Sequence, residues 1–312
     1  MAFLRALGSY LPERVVTNAE LGERLGADPA WILQVTGIEQ RRFAAAEESV
    51  TDLAIAAAKD CLESSGLQAG EIGMLLVASG SADRRFPGPG ATVGSGLGIG
   101  GVPAIDLPIA SAGSLFGIAL ASHLAEAYGN VLVIGAEILS RVVPRDREHV
   151  DTAVLFADGA GACVVSASAG FAKIAGSLLA SDGAEAGALH LPLDGPLSMD
   201  GRTIILHAAR KLPRVIRELL ERHNCPPEAA GAYLLHQANR NLITRVAQAL
   251  RVPEERFFCN LERYGNTSSA SLLIAAAEWR RRFTGELQAP VVLAAFGAGL
   301  HWGAVLLSPF ES

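Results

Sequence analysis

Three polar residues and one glycine-rich loop carry the chemical interest of this 312-residue chain. Ser111 lies in Asp106-Leu-Pro-Ile-Ala-Ser-Ala-Gly-Ser114, between a short apolar run and a long helical pattern. A serine at such a junction can expose its hydroxyl near the positive end of a helix, with its backbone N–H as an oxyanion donor. The competing reading is a helix-capping serine. His236 closes an apolar run and opens HQANRNL. An imidazole at a strand's C-terminal end faces the crevice where α/β sheets bind ligands, unless it is a hydrogen-bonded core histidine. Asn266 stands in Tyr-Gly-Asn-Thr-Ser-Ser-Ala-Ser before a helical pattern, where the ordinary occupant is a turn residue. The loop Phe296-Gly-Ala-Gly-Leu300 either presents free backbone N–H groups or turns a hairpin.

The elements that must position these residues follow from periodicity. Apolar residues at helical spacing mark 51–65, 113–128, 210–222, 240–250 and 268–283, with a small-residue helix at 90–97. Short continuous apolar runs mark buried strands at 72–78, 103–107, 130–135, 232–235, 257–260, 291–295 and 303–307. The segment 154–165 (VLFADGAGACVV) reads as a strand, a tight glycine turn and a return strand. Strands alternating with helices imply α/β layers around a mostly parallel sheet. The order occurs twice, so two tandem halves are expected, 1–168 with Ser111 and 169–312 with His236 and Asn266.

Composition narrows the class. Half of the residues are hydrophobic, enough for a large core, and the net charge is −6, from 26 Lys and Arg against 32 Asp and Glu. That balance gives no electrostatic footprint for nucleic acid or an anionic membrane. The basic run 280–282 reads as the solvated end of a helix. Cys61, Cys163, Cys225 and Cys259 are widely spaced, which argues against disulfides and zinc and favours a reducing cytoplasm. The first residues lack a secretory pattern, and the apolar stretch 291–307 is interrupted by glycines and His301, so strands rather than a membrane span are expected. Neither ADGAGA nor GSGLGIG has dinucleotide-binding spacing, and the residues around Ser111 lack the first glycine of GxSxG. No metal or redox cofactor is implied.

Taken together, the motifs are specific. TGIEQRR (36–42), VLFADGAGA (154–162), MDGR (199–202), HQANRN (236–241), RYGNTSSASL (263–272) and FGAGLHWGA (296–304) resemble, in order and spacing, the ketoacyl-acyl-carrier-protein synthase III family over nearly the full chain. The resemblance implies a thiolase-like fold: duplicated βαβαβαββ halves in a five-layer α/β/α/β/α arrangement, as a homodimer. It implies an acyltransferase of fatty acid or polyketide biosynthesis, fed by acyl carrier protein or coenzyme A thioesters as substrate. By the same resemblance His236 and Asn266 support decarboxylation and enolate stabilisation. The backbone N–H groups of Ser111 and Ala298 form the oxyanion hole, and Trp31, Phe86, Asn239 and Arg240 contact substrate, Trp31 by stacking on adenine.

The chain departs from the family at the nucleophile, where Ser111 aligns with the acyl-carrying cysteine. A thiol at a helix N-terminus ionises near neutral pH, whereas a hydroxyl needs a general base, for which His236 is the evident candidate in the sequence. An oxyester is also a poorer electrophile than a thioester, so condensation from Ser111 should be slow while transfer to an alcohol, amine or water stays feasible. Val35, Val150 and Asn241 align with family arginines at the coenzyme site, with Arg240 or Arg147 as compensation or as ordinary exposed arginines. Fewer arginines favour a carrier-protein donor, or coenzyme A bound in a different way. Ser114 replaces a larger residue beside the nucleophile, which suggests an altered acyl pocket. Two other readings stand beside the acyltransferase: a condensing enzyme disabled by a Cys-to-Ser exchange at 111, and a non-catalytic partner subunit.

Overall fold

The computed structural model describes residues 1–310. Five strands of the first half lie in the order Ala104–Leu107, Met74–Ala78, Asn130–Ile138, Asp158–Ser166, Phe3–Tyr10. The first three run parallel and the last two join antiparallel. The second half repeats order and sense with Phe257–Phe258, Ala232–Leu235, Val291–Gly297, His301–Ser308 and Ala172–Ser181. Phe3–Tyr10 pairs antiparallel with Ala172–Ser181 at Leu4↔Ala172, which makes one ten-stranded sheet. The sheet is therefore mixed rather than mostly parallel: each half has three parallel strands, and its last two are antiparallel.

Helices complete five layers. Val50–Ser65 covers the outer face of the first half, and Gly201–Arg222 with Arg240–Leu250 the outer face of the second. Gly113–Tyr128 and Ser271–Arg282 lie between, and their Leu115, Ile118, Leu272 and Leu273 pack among strands of both halves. Leu115 and Ile118 are fully buried, each contributing about 1.5–3 kcal/mol of burial.

The segment 154–165 does not turn. Asp158–Ser166 is one continuous strand, buried along its length. Its glycines serve close packing: a Cβ on Gly161 would lie 2.5 Å from the Leu273 Cβ of a central helix. Glycine spacing alone does not separate that use from a turn. The strands Phe3–Tyr10 and Ala172–Ser181 escaped the periodicity reading because both mix Gly, Ala, Ser and a charged residue with few β-branched side chains. Each half carries an insertion after its first strand, at 11–49 and 182–200. Each insertion holds a small antiparallel strand pair, Arg14–Thr17 with Gln40–Phe43 and Leu189–His190 with Ser198–Met199.

Candidate active site

The site forms at the C-terminal ends of the parallel strands of both halves, where α/β sheets present their loops. The chain leaves Ala104–Leu107, crosses Ser111 and enters the helix Gly113–Tyr128, whose N-cap is Ala112. Ser111 is therefore not the cap. It sits at φ 62°, a left-handed conformation that costs a non-glycine residue about 1–2 kcal/mol. Gly297, at the end of its strand, makes room for this elbow: a Cβ there would lie 2.2 Å from the Ala110 oxygen and 2.9 Å from the Ser111 Cβ.

Ser268 faces Ser111 from the second half. It too has a positive φ, 48°, and opens the short turn Ser268–Ala270 ahead of the helix Ser271–Arg282. The Ser111 N–H donates to Ser268 Oγ at 2.8 Å, and the two hydroxyl oxygens are 3.3 Å apart. The expected oxyanion donor at 111 is thus already engaged by a side chain in the free protein. Ser268 lies within the RYGNTSSASL motif, but nothing in its spacing marks it as the neighbour of a residue 157 positions away.

His236 follows Ala232–Leu235 and is held by its own N–H to the Ala294 oxygen at 2.8 Å. Its Nδ1 meets Ser271 Oγ at 2.5 Å, and that oxygen also accepts the Gln237 N–H at 3.0 Å. A hydroxyl has a single proton, and no other acceptor takes it among the described residues. The proton therefore points to Nδ1, and the ring carries its own proton on Nε2. Burial lowers the imidazole pKa from 6.5 to about 3. His236 is thus a neutral hydrogen-bond donor, and it makes no hydrogen bond to Ser111.

Asn266 is oriented in the same way. Its Oδ1 accepts the Ser268 N–H at 2.9 Å, which turns the amide NH2 toward the Ala238 oxygen, 3.5 Å away, and the cavity. Its backbone bridges Phe156, with N–H to the Leu155 oxygen at 3.1 Å. Fully buried Arg41 braces that segment, donating to the Val154 oxygen at 2.9 Å and Asn18 Oδ1 at 2.8 Å.

Ser111, His236 and Asn266 line one mostly apolar cavity with Asn239, Phe156 and Met199. A second, smaller cavity also touches Ser111 and is lined by Ala298, Ser268, Leu139, Leu189, Leu191 and Leu197. Leu189, Leu191, Leu197 and Met199 come from the 182–200 insertion, which sequence reading left unassigned beyond MDGR. Asn239 caps Arg240–Leu250 and donates to the Val35 oxygen at 2.9 Å. It thereby docks the helix Pro29–Thr36, which carries half-buried Trp31, beside the cavity. Trp31 itself lines neither cavity, and nor does Phe86, which is 83% exposed before a cis proline peptide.

Of the arginines considered, Arg240 is ion-paired with Glu254 at 2.8 Å with its stem against Gly37, and Arg147 lies against Gly26. Asn241 points its amide at the Val35 oxygen, and Val150 opens the short helix Val150–Ala153. Ser114 is fully buried, lines neither cavity, and its hydroxyl has no partner among the described residues. No helix among the described residues is long and apolar enough to cross a membrane.

Comparison with known proteins identifies the family and the fold. The model for 3-oxoacyl-[acyl-carrier-protein] synthase III matches residues 105–183, and the model for its C-terminal part matches 220–308. The chain is 37% identical over 302 residues to beta-ketoacyl-[acyl-carrier-protein] synthase III of Aquifex aeolicus, covering 96% of this chain and 97% of that protein. It is 38% identical over 322 residues to the protein of that name from Rhodobacter capsulatus, covering 98% of each. The crystal structure of the Aquifex aeolicus synthase superposes with a TM-score of 0.94 at 35% identity, covering 99% of this chain and all (100%) of that one. A priming beta-ketosynthase of a polyketide biosynthetic pathway superposes at 0.92 with 29% identity, covering 100% of this chain and 97% of that one. The fold is thiolase-like.

Proposed function

The chain belongs to the 3-oxoacyl-[acyl-carrier-protein] synthase III family, and we propose that it is an acyltransferase that loads an acyl group onto Ser111 from a thioester. The reading rests on one observation above others: Ser111 occupies a strained elbow that lines two cavities, one of them shared with two oriented donors, His236 Nε2–H and Asn266 Nδ2–H2. In this scheme the acyl chain enters the smaller apolar cavity. Its carbonyl oxygen replaces Ser268 Oγ as acceptor of the Ser111 N–H, with the Ala298 N–H as second donor. The larger cavity receives the thioester arm, and His236 and Asn266 donate to the carbonyl of the incoming or outgoing group.

A carrier-protein donor is favoured over free coenzyme A. Val35, Val150 and Asn241 offer no cation to a nucleotide phosphate, and Arg240 is committed to Glu254. Trp31, on a helix docked beside the cavity through Asn239, remains available to the thioester arm. A second copy of the chain is the proposed partner, supported by exposed Phe86 and by the edge strand Ala104–Leu107, where Ile105 is 45% exposed. The pathway proposed is fatty acid or polyketide biosynthesis, in line with the names of the relatives.

The test compares transfer with condensation. Wild-type protein, acetyl-carrier protein and malonyl-carrier protein are mixed, and both ketoacyl product and acetyl transfer are followed. The expected result is transfer with little condensation, and a sharp rise in condensation in Ser111→Cys. Condensation by the wild type at the Ser111→Cys rate would refute the reading. Absence of loading in the wild type alone would favour the disabled condensing enzyme.

A further inference from the structure

The helix Gly201–Arg222 serves two cavities. Its first turns reach the cavity that holds Ser111, through Gly201, Ile204, Ile205 and Ala208. Farther along, Arg210, Lys211, Arg214 and Arg222 line a separate open groove of about 450 Å³, against Trp302 and the strand Ala172–Ser181. The groove and the Ser111 cavity share no lining residue. The groove lies on the outer face of the second half, five strands in from the edge strand Ala104–Leu107.

Four cations face one carboxylate there, Glu218, in a chain whose net charge is −6. Glu218 pairs with Arg222 at 2.7 Å. Lys211 Nζ lies 3.0 Å from Asp182 Oδ2 and 3.8 Å from the centre of the Trp302 ring, and its side chain is only 17% exposed. Arg210 and Arg214 have no ion-pair or hydrogen-bond partner among the described residues. They stand one helical turn apart, where like charges repel and weaken the helix. Exposed arginines alone would mark only a wet helix face. Here they border a concave volume, and they share it with a tryptophan and a mostly buried lysine.

We propose that this groove is a second binding site, for a small molecule of the nucleotide type, carrying a phosphate or diphosphate and a flat apolar group. Guanidinium forks match phosphate oxygens two at a time, and Arg210 and Arg214 offer two such forks. A volume of about 450 Å³ far exceeds a phosphate and falls among small-molecule sites. The surplus space faces Trp302, Leu178 and Val215, which suit an apolar group. Lys211 is the movable part. In the free protein it neutralises Asp182 and covers the indole. Drawn to a phosphate, it uncovers the ring for the flat group to stack on. The site stands apart from Ser111, so the inference does not depend on the acyltransferase reading.

The experiment titrates the full chain with adenosine diphosphate, adenosine and inorganic pyrophosphate at constant ionic strength, followed by calorimetry and tryptophan fluorescence. Adenosine diphosphate should bind saturably at one site per chain, more tightly than adenosine or pyrophosphate. Arg210→Gln and Arg214→Gln change exposed side chains without partners and should fold normally. Each should weaken binding by about tenfold or more, as loss of a charge-assisted hydrogen bond does. The fluorescence change should disappear in Trp302→Phe. Absence of saturable adenosine diphosphate binding would overturn the site. So would binding that both arginine variants retain in full, since the nucleotide would then sit elsewhere on the chain. Equal affinity for pyrophosphate and adenosine diphosphate would overturn the ligand class, and a fluorescence change that persists in Trp302→Phe would overturn the stacking.

Discussion

A single methyl group at Gly297 should separate catalytic geometry from stability. Built on that backbone, a Cβ lies 2.2 Å from the Ala110 oxygen, 2.9 Å from the Ala112 nitrogen and 2.9 Å from the Ser111 Cβ. Ordinary contacts begin at 3.4 Å, so the worst overlap is 3.4 − 2.2 = 1.2 Å. All three atoms belong to the elbow, and Ser111 at φ 62° has little freedom to absorb the push by rotation. The elbow must translate by roughly an ångström, which costs about 10²-fold in rate where nucleophile and donors must stay aligned. Overpacking itself costs about 1–3 kcal/mol. Gly8→Ala is the control: its Cβ meets the Cys61 nitrogen at 2.3 Å, in an outer helix remote from the site. Both variants should melt earlier, but only Gly297→Ala should load slowly when acetyl adduct formation is timed by mass below either melting point. Wild-type loading by Gly297→Ala would refute the argument that this glycine fixes the nucleophile.

Two further outcomes follow from buried polar groups. Ser114→Ala removes a buried hydroxyl with no partner and should raise stability by about 1 kcal/mol, seen as a higher Tm; a lower Tm would contradict this. His236 has a folded pKa of about 3 against 6.5, so between those values the unfolded chain binds the extra proton and stability falls as pH falls. The slope reaches up to about 1.4 kcal/mol per pH unit, and urea midpoints of His236→Gln should lack it. Glu137 acts with the opposite sign, because its raised pKa lets the folded state keep a proton that the unfolded chain has lost. Its contribution is present at low pH and is lost as pH rises from 4.5 through the raised value, so the two single variants should flatten opposite components of the curve.

Much of the layer order was legible because long apolar helices and fully buried strands leave unambiguous periodicity. Gly113–Tyr128 and Ala232–Leu235 stand at the positions their patterns indicate. Phe3–Tyr10 and Ala172–Ser181, which join the halves, were not legible: small and charged residues break their alternation, and tertiary pairing makes them strands. Ser111, His236 and Asn266 could be singled out because each sits at the junction of two patterns. Their orientation could not, because it depends on partners distant in sequence. Ser271 sets the His236 tautomer from 35 residues away, and Ser268 engages Ser111 across 157.

The central claim is that Ser111 carries the acyl group during turnover. The direct measurement is a pulse-chase: load the protein from acetyl-carrier protein, remove the donor, map the adduct by peptide mass, then add an alcohol or amine acceptor and time its loss. An acetyl group on Ser111, absent in Ser111→Ala and discharged to acceptor at least as fast as steady-state transfer, is the result expected. An adduct elsewhere, or one on Ser111 that discharges more slowly than turnover, would contradict the account.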